Sequence, residues 1–382
     1  MRCLSEDYMK QIIYADNAAT TKLDIEAFDA MKPFLLDDYS NPSQPYSFSR
    51  LSKKALKEAR QIIADCINAE PDEIFFTSGG SESDNWAIKG IAYNGKPGAI
   101  ITSEIEHHAI LRACEDVEKS GVVVAYVKPN TEGVICPEVL ADYITDNTKL
   151  VSIMFVNNEI GTIEPIKELA EVAHKHGAIF HTDAVQAVGH VRIDVKKLGI
   201  DMLSASGHKF NGPKGIGFLY IKKGTAIKTL INGGTQEFGI RAGTENIAAI
   251  VGMAKALKNN CDFIDENNRY VEQLEELLLK GLEGINFVRN GSNNHAKGII
   301  SLSFPEAEGE TILHRLDLME IMVSTGSACD SVNTQISHVL KAICLDDTLA
   351  RGTIRISLSK NNKAEEVEAI AKALRKVVAR KA

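Results

Sequence analysis

Leu150-Val151-Ser152-Ile153-Met154-Phe155-Val156 is an almost unbroken apolar run. Such a run reads as a strand buried on both faces, the type found in parallel sheets. A helical stretch, 166–176, follows it, and Ala178-Ile179-Phe180-His181-Thr182 reads as a second strand. Strand, helix and strand in so short a span make the unit of a parallel sheet. The rhythm extends upstream. Strand-like 74–77, 99–102 and 122–127 alternate with helical 84–91, 107–119 and 137–144, and 51–67 is an amphipathic helix. The fold class is therefore α/β, with a mostly parallel sheet covered by helices on both sides, and ligands belong beyond the carboxyl ends of its strands.

After about residue 255 the texture changes. A leucine-rich helix (270–282), a strand (298–304), a helix (308–318), a strand (354–358) and a last amphipathic helix (365–378) suggest a smaller α+β domain. The expected division is a large domain over 16–255 and a small one combining 1–15 with 256–382. Net charge is −8 over 382 residues, which disfavours a nucleic-acid surface. Apolar runs are too short to cross a bilayer, and the first ten residues lack a signal-peptide pattern. Seven scattered cysteines without C-x-x-C argue against a disulfide scaffold or a cysteine-based zinc site, so the cytoplasm is the expected compartment.

Polar residues cluster where strands end. Ser204-Ala205-Ser206-Gly207-His208-Lys209 continues into Phe210-Asn211-Gly212-Pro213-Lys214-Gly215-Ile216-Gly217, placing one lysine between two strands among small residues. A lysine in a desolvated pocket forms a Schiff base with a carbonyl; in open solvent it is an ordinary turn lysine. Ser78-Gly79-Gly80-Ser81 opens a helix and suits an anion, or is a plain serine cap. Asp183 closes a strand and suits a protonated ring nitrogen, or caps a helix. His107 and His108 open another helix after a strand. Asn157-Asn158 ends the most buried strand and offers paired amides. His174, His176, His181 and Asp183 superficially suggest a metal, yet the first two fit a helix C-terminus, and no metal is expected. Arg355 on a late strand suits a carboxylate. Cys329 stands apart from the other cysteines in a small, polar loop, Ser324-Thr325-Gly326-Ser327-Ala328-Cys329-Asp330. Neither a P-loop nor a G-x-G-x-x-G fingerprint occurs at the glycine turn after strand 74–77.

Taken together, these motifs resemble the cysteine desulfurases of the NifS/IscS type, within the pyridoxal-phosphate enzymes of class V aminotransferase fold (fold type I). The resemblance runs in order through Asp16, Thr77–Ser83, Glu106-His107, Asn157–Gly161, His181-x-Asp183-x-x-Gln186, Ser206–Lys209, Arg241–Thr244 and Ser324–Cys329. It implies pyridoxal 5'-phosphate as cofactor, with Lys209 as its Schiff-base lysine. Asp183 would face the pyridinium nitrogen, His107 would stack on the ring and Gln186 would bond its phenolic oxygen. Gly80, Ser81, Ser206 and His208 would hold the phosphate, joined by Thr244 from a second subunit of a homodimer. Asn158 and Arg355 would bind the carboxylate of L-cysteine, and Cys329 would take its sulfur as a persulfide. The acceptor would be an iron–sulfur scaffold or a tRNA-thiolation protein. Two positions depart from the pattern: Tyr46 stands where a histidine is common, and Asp330 where a hydroxyl residue is common. The alternatives are an aminotransferase or selenocysteine lyase of the same fold, or a sulfur carrier without catalysis.

Overall fold

The computed structural model describes residues 12–95, 98–326 and 336–378. The chain enters as β1 (Ile13–Tyr14) and forms two helices, α1 (Ile25–Leu36) and α2 (Arg50–Ile67), before the central sheet. Strand and helix then alternate through β2 (Ile74–Thr77), α3 (Gly80–Ala92), β3 (Ala99–Ser103), α4 (His108–Lys119) and β4 (Val124–Val127). They continue through α5 (Pro137–Tyr143), β5 (Thr148–Ser152), α6 (Ile166–Lys175) and β6 (Ile179–Asp183). A short α7 (Val195–Leu198) leads to β7 (Met202–Ser206), and β8 (Gly217–Ile221) completes the sheet. The order is β2-β8-β7-β6-β5-β3-β4. β8 is antiparallel to both neighbours, while β7, β6, β5, β3 and β4 pair in parallel. This is the expected α/β sheet. Helices cover both faces, because the strands bury side chains on both: Val151, Phe180 and Leu203 on one side, Leu150, Met202 and Leu219 on the other.

Three sequence expectations shift for physical reasons. The run 150–156 is buried throughout, but β5 ends at Ser152. Ile153 and Phe155 still donate to the carbonyls of His181 and Asp183 on β6, so the chain follows β6 past the strand's end and stays in the core. Ser204–Ser206, read above as loop, completes β7. The expected boundary at 255/256 falls inside α8 (Ile247–Asp262). Ala256 and Leu257 of α8 belong to the large core, with α8 packed across α1 and α2.

Beyond α8 stand α9 (Ile264–Gly281), β9 (Val288–Asn290), β10 (Ile299–Ser303), α10 (Gly309–Asp317), β11 (Ile321–Met322), α11 (His338–Ala342), α12 (Asp347–Arg351), β12 (Thr353–Ser357) and α13 (Ala364–Val378). An antiparallel sheet, β12-β10-β9, shares a core with α9 and α13 through Leu274, Leu278, Leu302, Ile356, Ile370 and Leu374. β1 pairs with β11. Residues 15–21 then cross to the large unit. Asn17 N–H donates to Ser357 O, Ala18 N–H to Ser357 Oγ, and Thr21 Oγ1 to His208 O.

Candidate active site

The carboxyl ends of β3, β5, β6 and β7 open into one cavity of about 290 Å³. At the end of β7, Gly207–Lys209 forms a single 3-10 turn. Its glycine sits in a tight space: a Cβ at Gly207 would lie 3.1 Å from the Pro213 carbonyl. Asn211 (φ 65°) then turns the chain, its N–H bonded to Thr21 Oγ1 and its amide to Lys22 O. Lys209 Nζ is thereby held in the cavity, donating to Ala18 O (2.5 Å) and Ala19 O (2.9 Å). These carbonyls come from the crossing segment, not from the lysine loop.

Asp183, the last residue of β6, is 5% exposed and lines the same cavity. No helix follows it. Its Oδ1 accepts the Val185 N–H at 2.9 Å, so it closes a turn, and the helix-cap reading fails. Burial raises its pKa, opposed by His107 and Lys209 nearby. Gln186 lines the cavity and donates to Ala18 O (2.8 Å), the carbonyl Lys209 also uses. His107 caps α4, its Nδ1 accepting the Ala109 N–H at 3.1 Å, which leaves the ring proton on Nε2. Burial lowers its pKa, so the imidazole is neutral.

The α3 end of the cavity suits an anion. Gly79 (φ 150°) precedes Gly80, and no side chain caps the helix, so its first N–H groups remain available. The serine-cap reading is thus replaced by an open helix start. Ser81, Ser206, His208 and Lys214 border the adjoining hollow. His208 is pushed down to about 4, first by burial and then by Lys209, and its Nδ1 lies 3.1 Å from Thr20 Oγ1. Across the cavity, Arg355 on β12 donates to Asn158 O (2.7 Å) and Asp16 Oδ1 (2.8 Å). Its Nε is buried and has no partner among the described residues. The two asparagines divide their work: Asn158 lines the cavity, while Asn157 folds the turn by accepting the Glu159 and Ile160 N–H groups.

Gly80, Ser81, His107, Asn158, Asp183, Gln186, Ser206, His208, Lys209 and Arg355 therefore line one cavity. Thr244 does not line it; it is exposed on the loop before α8. Cys329 and Asp330 lie outside the described residues. Gly326, three positions before Cys329, does line the cavity. Tyr46 is half exposed and away from it. The histidines that suggested a metal separate: His174 bonds Asp201 (2.7 Å), while His181 is enclosed by Ser152 and Ser204.

Sequence reading missed several members of the site. Glu106 is fully buried and ties the β3–α4 connection to the chain beyond β5 through Ser103 Oγ (2.5 Å) and the Met154 N–H (3.0 Å). His338 meets His108, the second of the histidine pair noted in the sequence, at the rim with rings 4.9 Å apart. Asp84, one turn into α3, lies at the cavity wall. The last signal was available, since Asp84 is a charged residue on a helix that must be buried on most sides.

This sheet, with a lysine turn, a buried aspartate and an anion-ready helix at its carboxyl edge, is that of the class-V aminotransferases, and the chain belongs to that family, whose model matches residues 13–370. Within it the chain falls among the cysteine desulfurases of the IscS and NifS type. It is 48% identical to cysteine desulfurase IscS of Clostridium botulinum (strain Hall) over 97% of this chain and 95% of that one. It is 40% identical to cysteine desulfurase NifS of Azotobacter vinelandii over 96% of this chain and 92% of that one. A solved NifS-like protein superimposes with a TM-score of 0.91 at 35% identity, covering 96% of this chain and 99% of the other. SspA in complex with cysteine superimposes at 0.83 with 38% identity, over 92% of this chain and all of that one.

Proposed function

We propose that this chain takes sulfur from L-cysteine, releases L-alanine, and holds the sulfur as a persulfide on Cys329 for delivery to an acceptor. The observation that carries the reading is the sharing of one cavity by an amine (Lys209), a buried carboxylate (Asp183), an uncapped helix start (Gly80-Ser81) and an arginine (Arg355).

That donor set fits pyridoxal 5'-phosphate. Gly80-Ser81, Ser206 and His208 would hold the phosphate, where a neutral His208 donates or accepts without competing charge. Asp183 would face the ring nitrogen, His107 the ring face and Gln186 the ring oxygen. Lys209 would bind the aldehyde carbon. When bound, this cofactor supplies an electron sink for charge developing on the substrate.

The remaining work belongs to the protein. Arg355 and Asn158 bind and orient the substrate carboxylate. Lys209, once its amine is free, moves the proton at the substrate Cα as a general base. Its two carbonyl partners keep Nζ beside the reacting carbon instead of letting it swing away. Cys329 Sγ, as thiolate, attacks the substrate sulfur. The sulfur–sulfur bond forms, the carbon–sulfur pair stays with carbon, and a proton completes the methyl group of alanine. Gly326 lines the cavity, and three residues span at most about 11 Å, so Cys329 is tethered within reach of it.

The same reading makes Thr244 a phosphate contact delivered to the partner subunit of a homodimer, since its own chain keeps it exposed and off the cavity. It makes the acceptor a thiol-bearing iron–sulfur scaffold or tRNA-thiolation protein. Free thiols at Cys66, Cys114, Cys136, Cys261 and Cys344 suit a reducing compartment such as the cytoplasm. The test is a spectrum together with alanine and sulfide assays on wild type, Lys209→Ala and Cys329→Ser. Lys209→Ala should lose the lysine-linked cofactor absorbance and turnover, and Cys329→Ser should lose sulfide release. Release from Cys329→Ser at the wild-type rate would overturn the reading and favour another enzyme of the fold.

A further inference from the structure

One carboxyl group at the cavity wall has no task in this chemistry. Asp84 is 1% exposed, and its Oδ1 has no hydrogen-bond partner among the described residues. One oxygen of Asp84, one of Asp183 and one ring nitrogen of His107 all lie within 4.8 Å of one another. Among the described residues this is the one trio of His, Cys, Asp or Glu side chains that converges so closely. Two acids and a neutral histidine make a poor cation site, and we read the trio as a pair of competing carboxyl groups, not as a metal site.

The groups facing Asp84 from each packed element offer it no cation. From β6, His181 Nε2 is 4.0 Å from Oδ1. That ring is enclosed between Ser152 Oγ (2.8 Å) and Ser204 Oγ (3.0 Å), and burial pushes it down to about 3. His181 is therefore neutral. His107, at the start of α4, is neutral as well. Ser204 on β7 is a hydroxyl, and Glu106 is a further buried acid. Two ionised carboxylates under 5 Å apart in such surroundings raise one another by roughly 2.5 pH units at an effective dielectric constant of about 20. They do not stay ionised together. The asymmetry decides which keeps the proton: Asp183 has the Val185 N–H and looks toward Lys209, whereas Asp84 has one partnerless oxygen and only the neutral Ser204 hydroxyl to favour its ionised form.

We propose that Asp84 is a positioning residue, a carboxylic acid that stays protonated behind Asp183 and so leaves Asp183 as the single negative charge facing the cofactor. The proton stays on Asp84 throughout; no bond is made or broken there. The inference rests on the function proposed above for the role of Asp183, but the state of Asp84 is measurable without it.

The test compares the full-length wild type with Asp84→Asn, whose amide copies the neutral acid. In infrared difference spectra at neutral pH, wild type minus variant should show one protonated-carboxyl band. An ionised-carboxylate band in its place would overturn the proposal. In a second arm, pyridoxal 5'-phosphate is titrated into each apoprotein across pH. Asp84→Asn should bind within about twofold of wild type, and the acid limb of binding should not move. If Asp84 were ionised, its removal would shift that limb to lower pH by roughly 2.5 units, and that outcome also overturns the proposal. Should Asp84→Asn not fold, Asp84→Ser gives the same comparison. Failure of wild type to bind pyridoxal 5'-phosphate would sink the proposed function and leave the infrared arm to decide the state of Asp84.

Discussion

Arg355→Lys separates the binding of a carboxylate from the holding of a charge. Arg355 lies with its side chain 3% exposed, donating from one terminal nitrogen to Asn158 O and from the other to Asp16 Oδ1. Its Nε–H has no partner among the described residues, so the guanidinium still has a donor to give. Lysine keeps the charge but lacks the planar fork, and its single ammonium cannot serve Asp16, Asn158 and a substrate together. Losing one charge-assisted hydrogen bond costs roughly 1.5–3 kcal/mol, about 10- to 150-fold. The loss falls on substrate held equally in ground and transition states, so KM for L-cysteine should rise by that factor while kcat stays within a few-fold. The assay is initial alanine release against L-cysteine concentration. A control isolates the ion pair: Asp16→Asn breaks the contact with Arg355 but leaves the arginine. If Arg355→Lys leaves KM within twofold of wild type, or Asp16→Asn alone reproduces the full rise, Arg355 is a structural strut and not the carboxylate clamp.

Three further outcomes follow from contacts at a distance from the reacting atoms. A Cβ at Gly217 would press on the Ala205 carbonyl and lie 2.7 Å from Gly79 Cα, so Gly217→Ala should displace the start of α3 and weaken pyridoxal 5'-phosphate retention at least tenfold, measured by equilibrium dialysis. Glu164 is buried with one oxygen partnerless, and burial raises it from 4.5 to about 8. The folded state thus holds a proton that the unfolded chain releases near 4.5; the stabilisation is full below that value and fades as pH rises through 8. Glu164→Gln should flatten this alkaline loss, on the order of 4 kcal/mol, with Tm less dependent on pH between 5 and 9 than in wild type. Thr244→Ala should lower affinity for pyridoxal 5'-phosphate although the residue is exposed. Mixing it with Lys209→Ala should recover activity in hybrid dimers. No recovery would place Thr244 outside the partner's site.

The sheet and most of its site were legible because both depend on local pattern. Strand 74–77 buries every side chain and 178–182 all but Ile179, so their composition declared them, and Lys209 and Asp183 sit where such strands end. What escaped depends on contacts across long stretches of sequence. α8 packs on α1 and α2 over its length, yet nothing within 256–262 marks that stretch as continuing the unit that the sequence ended at 255. Glu106 looked like a flank of His107, because burial of its carboxyl comes from Ser103 and from Met154 beyond another strand. His338 meets His108 only when two distant segments close over one rim. Asp183 offered cap and ligand readings with equal right, and the missing helix beyond it chose between them.

Ala18 is an unremarkable residue in composition and an unusual one in connectivity. Its N–H is tied to Ser357 on β12, while its carbonyl takes both Gln186 Nε2 and Lys209 Nζ. One residue thus joins the floor of the small unit to the amine that does the work. A shift of β12 against the large sheet cannot leave the lysine where it was, because the two are fastened to neighbouring atoms of the same backbone. Any partner that leans on the small unit from outside therefore has mechanical access to the reaction centre without entering it.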